Sequence, residues 1–275
     1  MKSYRLLSSA AIIALALQWS TPAQAVPITN ATVSGPAVGN CVSGASLTAC
    51  AASASLLDGD ASHPTGNITL NALGGALTPS APVTTVSGLI GTHAITLQSL
   101  VHGDWFTSMP GQMLAETFIQ SAAQYAIGSP LTVGQLAAAL LQFDTPQAAL
   151  GGFSPWQLVS DPSLSYVTLA DDVLHIGLAG YLDATAVLNG LIPTGKVNGL
   201  QVSDVIKVSL DGGPAQYLYS FYATPSGLTG SAPFAMTGNY DIALASTVPE
   251  PDSMALLGLA LAGLVVTRRK QAAAR

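Results

Sequence analysis

Residues 202–223 read VSDVIKVSLDGGPAQYLYSFYA, and this stretch decides the predicted fold. Apolar and polar residues alternate over Val202–Leu210 and again over Ala215–Ala223, as they do in half-buried strands. The sequence Asp211-Gly212-Gly213 between the two runs is typical of a hairpin turn. We therefore predict an antiparallel hairpin whose second strand carries large side chains on both faces: Tyr217, Tyr219 and Phe221 on one, Leu218 and Tyr222 on the other.

A second hairpin is predicted upstream, where Leu164–Leu169 and Val173–Leu182 flank the turn Asp171-Asp172. Three more segments have the composition of strands: Val83–Val86, Ala94–Val101 and Asn239–Ser246. Several strands joined by short turns indicate an antiparallel sheet.

Helices are predicted between these groups of strands. Residues 111–127 place apolar side chains at helical spacing, and Gly128 is expected to end that helix. Ser129 and Pro130 are expected to be the N-cap and first residue of a second helix over 131–143. Two short helices are also predicted, one from Thr145-Pro146 to Leu150 and one over Ala184–Leu191.

The N-terminal end has the three parts of a secretory signal peptide. Lys2 and Arg5 are the basic part, Leu6–Leu17 is the apolar part, and Ala23-Gln24-Ala25 is the cleavage sequence. We expect export through the general secretion translocon and cleavage by signal peptidase between Ala25 and Val26.

The C-terminal end combines a proline motif, an apolar run and a basic cluster. Pro249-Glu250-Pro251 favours extended backbone, because a proline disfavours helix in the residue before it. Met254–Val266 carries no charge and no proline, and as a helix it would rise about 20 Å, which is short for a bilayer core of about 30 Å. The cations Arg268, Arg269 and Lys270 would stay on the cytoplasmic side and leave the rest of the chain outside.

In this order the three parts resemble the PEP-CTERM sorting signal of Gram-negative and related bacteria, including Gly258 and Gly263 within the apolar run. The resemblance implies recognition by an exosortase, a membrane-embedded processing enzyme. It implies a transient anchor in the inner membrane, then transfer to the cell surface or beyond, often alongside exopolysaccharide production. It implies no activity for the rest of the chain.

These observations divide the chain into a signal peptide over 1–25, a loop-rich leader over 26–80 with short strands around Ile68–Leu70, an exported domain over 81–247 and the sorting signal over 248–275. The predicted class is α+β: an antiparallel β-sheet or sandwich with a helical insertion, flanked by the signal peptide and a C-terminal membrane helix. An all-β sandwich with a helical excursion is the alternative.

The charge of the exported part excludes one class of partner. Residues 26–249 contain two lysines, Lys196 and Lys207, and twelve acidic residues, which gives a formal net charge of −10. Such a surface repels phosphate backbones, so nucleic-acid binding is excluded.

The only two cysteines, Cys41 and Cys50, lie in the exported part. In an oxidising compartment such a pair predicts a disulfide, which would stabilise by roughly 2–3 kcal/mol on the chain-entropy model. Two free thiols are the alternative, and metal ligation is disfavoured because no Cys-x-x-Cys or histidine pair is nearby.

Several motifs approach known chemistry and fall short of it. Gly190–Lys196 has the glycine and lysine spacing of a phosphate loop, but Val197 follows where Ser or Thr is required. Gly152-Phe153-Ser154 begins like a nucleophile elbow without its last glycine. Asp58-Gly59-Asp60 lacks the remaining ligands of a calcium loop, and Asp171-Asp172 is the best-placed carboxylate pair, although a turn explains it. No cofactor and no catalytic or metal residue is predicted.

Three functions remain open. The first is a non-catalytic surface or matrix protein placed outside the cell by an exosortase, with exopolysaccharide as a possible partner. The second is a secreted hydrolase of polysaccharide or peptide, built from scattered acids. The third is a carbohydrate- or calcium-binding adhesive module, which the acidic balance and the tyrosine-rich hairpin allow.

Overall fold

The computed structural model describes nearly two thirds of the chain: residues 25–43, 46–58, 65–71, 83–107, 113–181, 183–188, 190–192, 200–225 and 238–245. Cleavage residue Ala23, the sorting residues Pro249, Glu250, Pro251, Arg268, Arg269 and Lys270, and the predicted membrane helix lie outside these ranges. Within them no helix is both long and apolar enough to cross a membrane.

The described strands form two antiparallel sheets. In chain order the strands are β1 (Val26–Pro27), β2 (Thr29–Ser34), β3 (Ala37–Ser43), β4 (Ser46–Cys50), β5 (Gly66–Leu70), β6 (Thr85–Ile90), β7 (His93–Gln98), β8 (Ser163–Ala170), β9 (Val173–Tyr181), β10 (Val202–Ser203), β11 (Ile206–Leu210), β12 (Gln216–Leu218), β13 (Thr224–Pro225) and β14 (Gly238–Ala245).

The larger sheet has nine described strands, with the main order β13-β14-β9-β8-β5-β3-β4. β1 pairs with the far end of β8, and β10 pairs with the end of β9. The smaller sheet has five described strands in the order β12-β11-β7-β6-β2. One apolar cluster takes members from both sheets, for example Leu164 and Ile176 from the larger and Val86, Leu97 and Val208 from the smaller. The two sheets therefore enclose a common core, as in a β-sandwich.

The helices lie mainly between β7 and β8. They are α1 (His102–Phe106), α2 (Leu114–Ile127), α3 (Val133–Asp144), α4 (Pro155–Leu158) and, after β9, α5 (Thr185–Leu188), with 3-10 turns over Ala54–Leu57 and Ala148–Leu150. A second apolar cluster joins these helices to the sandwich. Its buried aromatic centre is Trp105, Phe118 and Phe143, whose rings meet at centroid distances between 5.1 and 5.8 Å. The antiparallel sheets and the helical insertion predicted from the sequence are both present, and most of the strand residues belong to a sandwich-like pair of sheets.

The two predicted hairpin turns are formed by residues that tolerate positive φ. Asp171 and Asp172 have φ values of 49° and 59° between β8 and β9, and Asp211 and Gly212 have 51° and 69° between β11 and β12. Positive φ at both central residues matches the right-handed twist of the flanking strands. The predicted hairpins are therefore present, although the second strand of the opening stretch is short, Gln216–Leu218.

Some sequence-based expectations need correction. The second long helix is capped by Thr132, whose hydroxyl accepts a hydrogen bond from the Gln135 amide, and not by Ser129. The expected strand around Ile68–Leu70 is present as β5, but the expectation of loops elsewhere in 26–80 is wrong for the described part of that segment, which also contains β1 to β4. Those strands are rich in Ser, Thr, Asn and Gly, so their pairing rests on the backbone, and few apolar residues reveal it.

Candidate functional site

A groove of about 690 Å³ opens beside α2. Four uncharged polar residues at helical spacing form one side of it: Thr117, Gln120, Ser121 and Gln124. Tyr125, Pro130, Phe221 and Tyr222 complete the described lining. None of these eight side chains is charged, so the described lining offers amides, hydroxyls, aromatic rings and one proline ring.

The aromatic part of the groove is held by ring contacts. Tyr125 stacks on Phe221 with centroids 5.5 Å apart and meets Tyr222 edge-on at 5.0 Å. Phe221 is buried and also contacts Phe118 and Tyr219. Tyr222, in contrast, is 75% exposed, which is unusual for so large a ring. The groove thus has a fixed aromatic floor and one accessible ring.

The polar part is positioned by hydrogen bonds. The Gln120 amide donates to the Leu131 carbonyl at 3.2 Å and accepts from the Leu131 N–H at 2.7 Å, which holds the turn containing Pro130 against α2. The Ser121 and Tyr219 hydroxyls lie 3.2 Å apart. Burial raises the pKa of Tyr219 above its ordinary value, so this hydroxyl stays protonated at neutral pH. Gln124 is exposed, and its amide can donate to and accept from a ligand.

A nearly buried carboxylate ties the insertion to the smaller sheet. Asp104 Oδ1 accepts hydrogen bonds from Lys207 Nζ on β11 and from the Tyr217 hydroxyl on β12, each at 2.8 Å. Asp104 Oδ2 accepts from the Val101 N–H at 2.9 Å, at the start of α1. Burial, and then the hydrogen bond to Asp104, raise the pKa of Tyr217. This cluster is structural, because every group in it serves to join two elements.

Each of the three histidines that the structure describes pairs with an aspartate. His93 lies 2.7 Å from Asp211, His102 lies 3.0 Å from Asp144, and His175 lies 3.0 Å from Asp241. In the first pair, hydrogen bonds from His93 and from the Ala94 N–H lower the pKa of the exposed Asp211 carboxyl. These pairs link neighbouring turns, helices and strands. Sequence reasoning missed them because the partners are up to 118 residues apart.

The third pair belongs to a larger arrangement on β8, β9 and β14. The Tyr166 hydroxyl donates to Asp241 at 2.9 Å, and the Tyr166 ring crosses Gly177 to reach it. A side chain at 177 would collide with that ring, so this strand position requires glycine.

Asp204 is the most buried acid, with no exposed surface. Its Oδ2 accepts from the Ser163 N–H at 3.3 Å, whereas Oδ1 has no hydrogen-bond partner. Burial, and then the charge of Asp161, raise the pKa of Asp204 well above its ordinary value. A protonated Asp204 is the form that this environment favours.

The motifs singled out in the sequence have structural places. Asp171 and Asp172 are exposed turn residues, and Asp58 forms an isolated bridge with Tyr166, while Gly59 and Asp60 lie outside the described residues. Ser154 is buried at the start of α4, where its hydroxyl donates to the Asp144 carbonyl at 2.8 Å. Lys196 is outside the described ranges. Among the residues that are described, no three His, Cys, Asp or Glu side chains group as metal ligands.

Cys41 and Cys50 form a disulfide between the paired strands β3 and β4, with the two Cα atoms 5.9 Å apart. The first strand begins at Val26, the residue that follows the predicted cleavage site, and Val26 pairs with Leu169.

The family model of the PEP-CTERM protein-sorting motif matches residues 247–270. The chain therefore carries this sorting motif, and the motif marks an exported protein that an exosortase processes. No curated protein and no solved structure matches the chain.

Proposed function

We propose that the protein is a non-catalytic component of the cell surface or extracellular matrix, delivered there by an exosortase and associated with exopolysaccharide. The observation that carries the proposal is the sorting motif at residues 247–270. In this scheme the translocon and signal peptidase act first. The apolar run Met254–Val266 then holds the chain briefly in the inner membrane before the exosortase removes it.

The chemistry of the exported part supports a non-catalytic role. Its prominent acids act as structural acceptors: Asp104 holds Lys207 and Tyr217, and Asp241 holds Tyr166 and His175. A disulfide between two strands suits a protein that works outside the cell. A secreted hydrolase would instead use some of these acids on a substrate, and replacing them would then abolish hydrolysis without unfolding the protein.

The test replaces Pro249, Glu250 and Pro251 together by alanine in the native host. Cell fractionation and mass spectrometry of the C-terminus then follow the product. We expect the wild type outside the inner membrane without residues 254–266, and the triple variant retained in that membrane with the run intact. Tyr222→Ala is the matched control, since it alters an exposed residue outside the motif sequence and should leave processing unchanged. A triple variant processed like the wild type would refute the proposal.

A further inference from the structure

We infer that the groove beside α2 binds a neutral polysaccharide, with Tyr222 as the ring on which a sugar unit packs. The inference deepens the proposed function, because it names the ligand of a protein that works next to exopolysaccharide.

The first support is the accessible ring. Tyr222 is 75% exposed and meets Tyr125 in a T-shaped contact, so most of the Tyr222 side chain can contact a ligand. Pyranose rings present C–H groups on one face, and an aromatic side chain offers a flat apolar surface of matching size with a polar tip. Tyr125 and the buried Phe221 hold the neighbouring surface in place, so little side-chain freedom is lost on binding.

The second support is the row of polar groups on α2. Sugar hydroxyls both donate and accept hydrogen bonds, and the Gln124 amide does the same. Ser121 and Thr117 add hydroxyls on the same helix face. Gln120 contributes by fixing the turn at Leu131, so the wall of the groove is preformed.

The third support is the absence of charge from the described lining. Sites for phosphate, sulfate or uronate commonly use Lys or Arg, and the exported part as a whole has a formal net charge of −10, from two lysines against twelve acids. An acidic polymer would be repelled. A neutral glycan keeps its hydroxyls paired and pays no charge-desolvation cost.

The test is affinity electrophoresis of the mature protein, purified from the native host, in gels that contain the host's neutral exopolysaccharide, dextran, galactomannan or the acidic polygalacturonate. We expect retardation by at least one neutral polymer and none by polygalacturonate. Tyr222→Ala should weaken binding about tenfold, and Gln124→Ala about threefold or more. Tyr222→Phe, which keeps the ring, should bind nearly as well as the wild type.

Phe153→Ala is the matched control, because Phe153 is also an exposed aromatic residue, 46% exposed, and does not line the groove. Equal binding by Tyr222→Ala and the wild type would overturn the inference, as would retardation by polygalacturonate alone or by no polymer. Conversion of a dimer to a monomer by Tyr222→Ala, seen by light scattering, would assign the groove to self-association and also overturn it. Should the sorting proposal fail, the detergent-extracted full chain can be run in the same gels, so the two failures are distinguishable.

Discussion

Replacing Asp104 by alanine is expected to lower the free energy of unfolding by about 3 kcal/mol. The Asp104 side chain is 8% exposed and accepts hydrogen bonds from Lys207 and Tyr217 at 2.8 Å and from the Val101 N–H at 2.9 Å. The substitution removes the one carboxylate that joins α1 to two strands of the smaller sheet.

The expected loss of stability depends on whether Lys207 and Tyr217 can find other hydrogen-bond partners once the Asp104 carboxylate is removed. A hydrogen bond to a charged group contributes about 1.5–3 kcal/mol, whereas an exposed ion pair contributes less than about 1 kcal/mol. The Lys207 side chain is 26% exposed, so its ammonium group can regain water after Asp104 is lost. The Tyr217 hydroxyl loses a hydrogen bond to a charged acceptor at a half-buried position, where burial raises its pKa, so it keeps part of the penalty.

Urea unfolding measures the change, with the fluorescence of Trp105 and Trp156 as the signal, because both rings are fully buried. Lys207→Met is the matched single variant, and the double variant closes a thermodynamic cycle. We expect a coupling energy of about 1–3 kcal/mol between Asp104 and Lys207. A loss below about 1 kcal/mol for Asp104→Ala, or a coupling near zero, would show that the cluster does not anchor the insertion.

Two further predictions concern Asp204, which follows β10, and Gly177, which lies in β9. The folded pKa of Asp204 is raised above its ordinary 3.8, so its contribution to stability is present below that pH and is lost as the pH rises through the folded pKa. Asp204→Asn should therefore match the wild type near pH 3.5 and exceed it increasingly at higher pH, and urea midpoints with a constant difference would contradict this. Gly177→Ala should lower the free energy of unfolding by about 2 kcal/mol, because the new methyl group collides with the Tyr166 ring. The control is Gly134→Ala on α3, where the methyl group meets open space; it should raise the free energy of unfolding by about 0.5–1 kcal/mol. Thermal melts compare the two, and equal shifts would refute the packing argument.

The local elements could be predicted where one face is apolar and a turn residue marks the end. The helix over Leu114–Ile127 ends at Gly128 with φ of 72°, as expected, and the Asp171-Asp172 turn joins β8 to β9. β2 and β3 could not be predicted, because their small polar residues give no period-two apolar signal. Their register depends on partners such as β5 and β6, and pairing across the sheet is not encoded locally.

Only part of the groove could be predicted from the sequence. Tyr217, Tyr219 and Phe221 pack on one cluster, as the predicted alternation implies, but the strand ends at Leu218, and Leu218 packs on the sandwich core whereas Tyr222 is exposed. The polar row on α2 lies at positions i, i+3, i+4 and i+7, which can be read as one helix face. Nothing in the sequence indicates that this face meets the end of the β12 segment, since about 100 residues separate them.

The order of residues 217–222 links the anchoring of this segment to the position of the exposed ring. Tyr217 is hydrogen-bonded to Asp104, Tyr219 and Phe221 pack against Phe118, and the Tyr222 ring contacts Tyr125. A slip of one residue along this segment would move Phe221 out of its buried position between Phe118 and Tyr125 and would displace Tyr222 with it. The bond between Tyr217 and Asp104 opposes that slip at the start of the segment, and the buried rings oppose it further on. The position of the exposed ring in the groove thus depends on a carboxylate that does not line the groove.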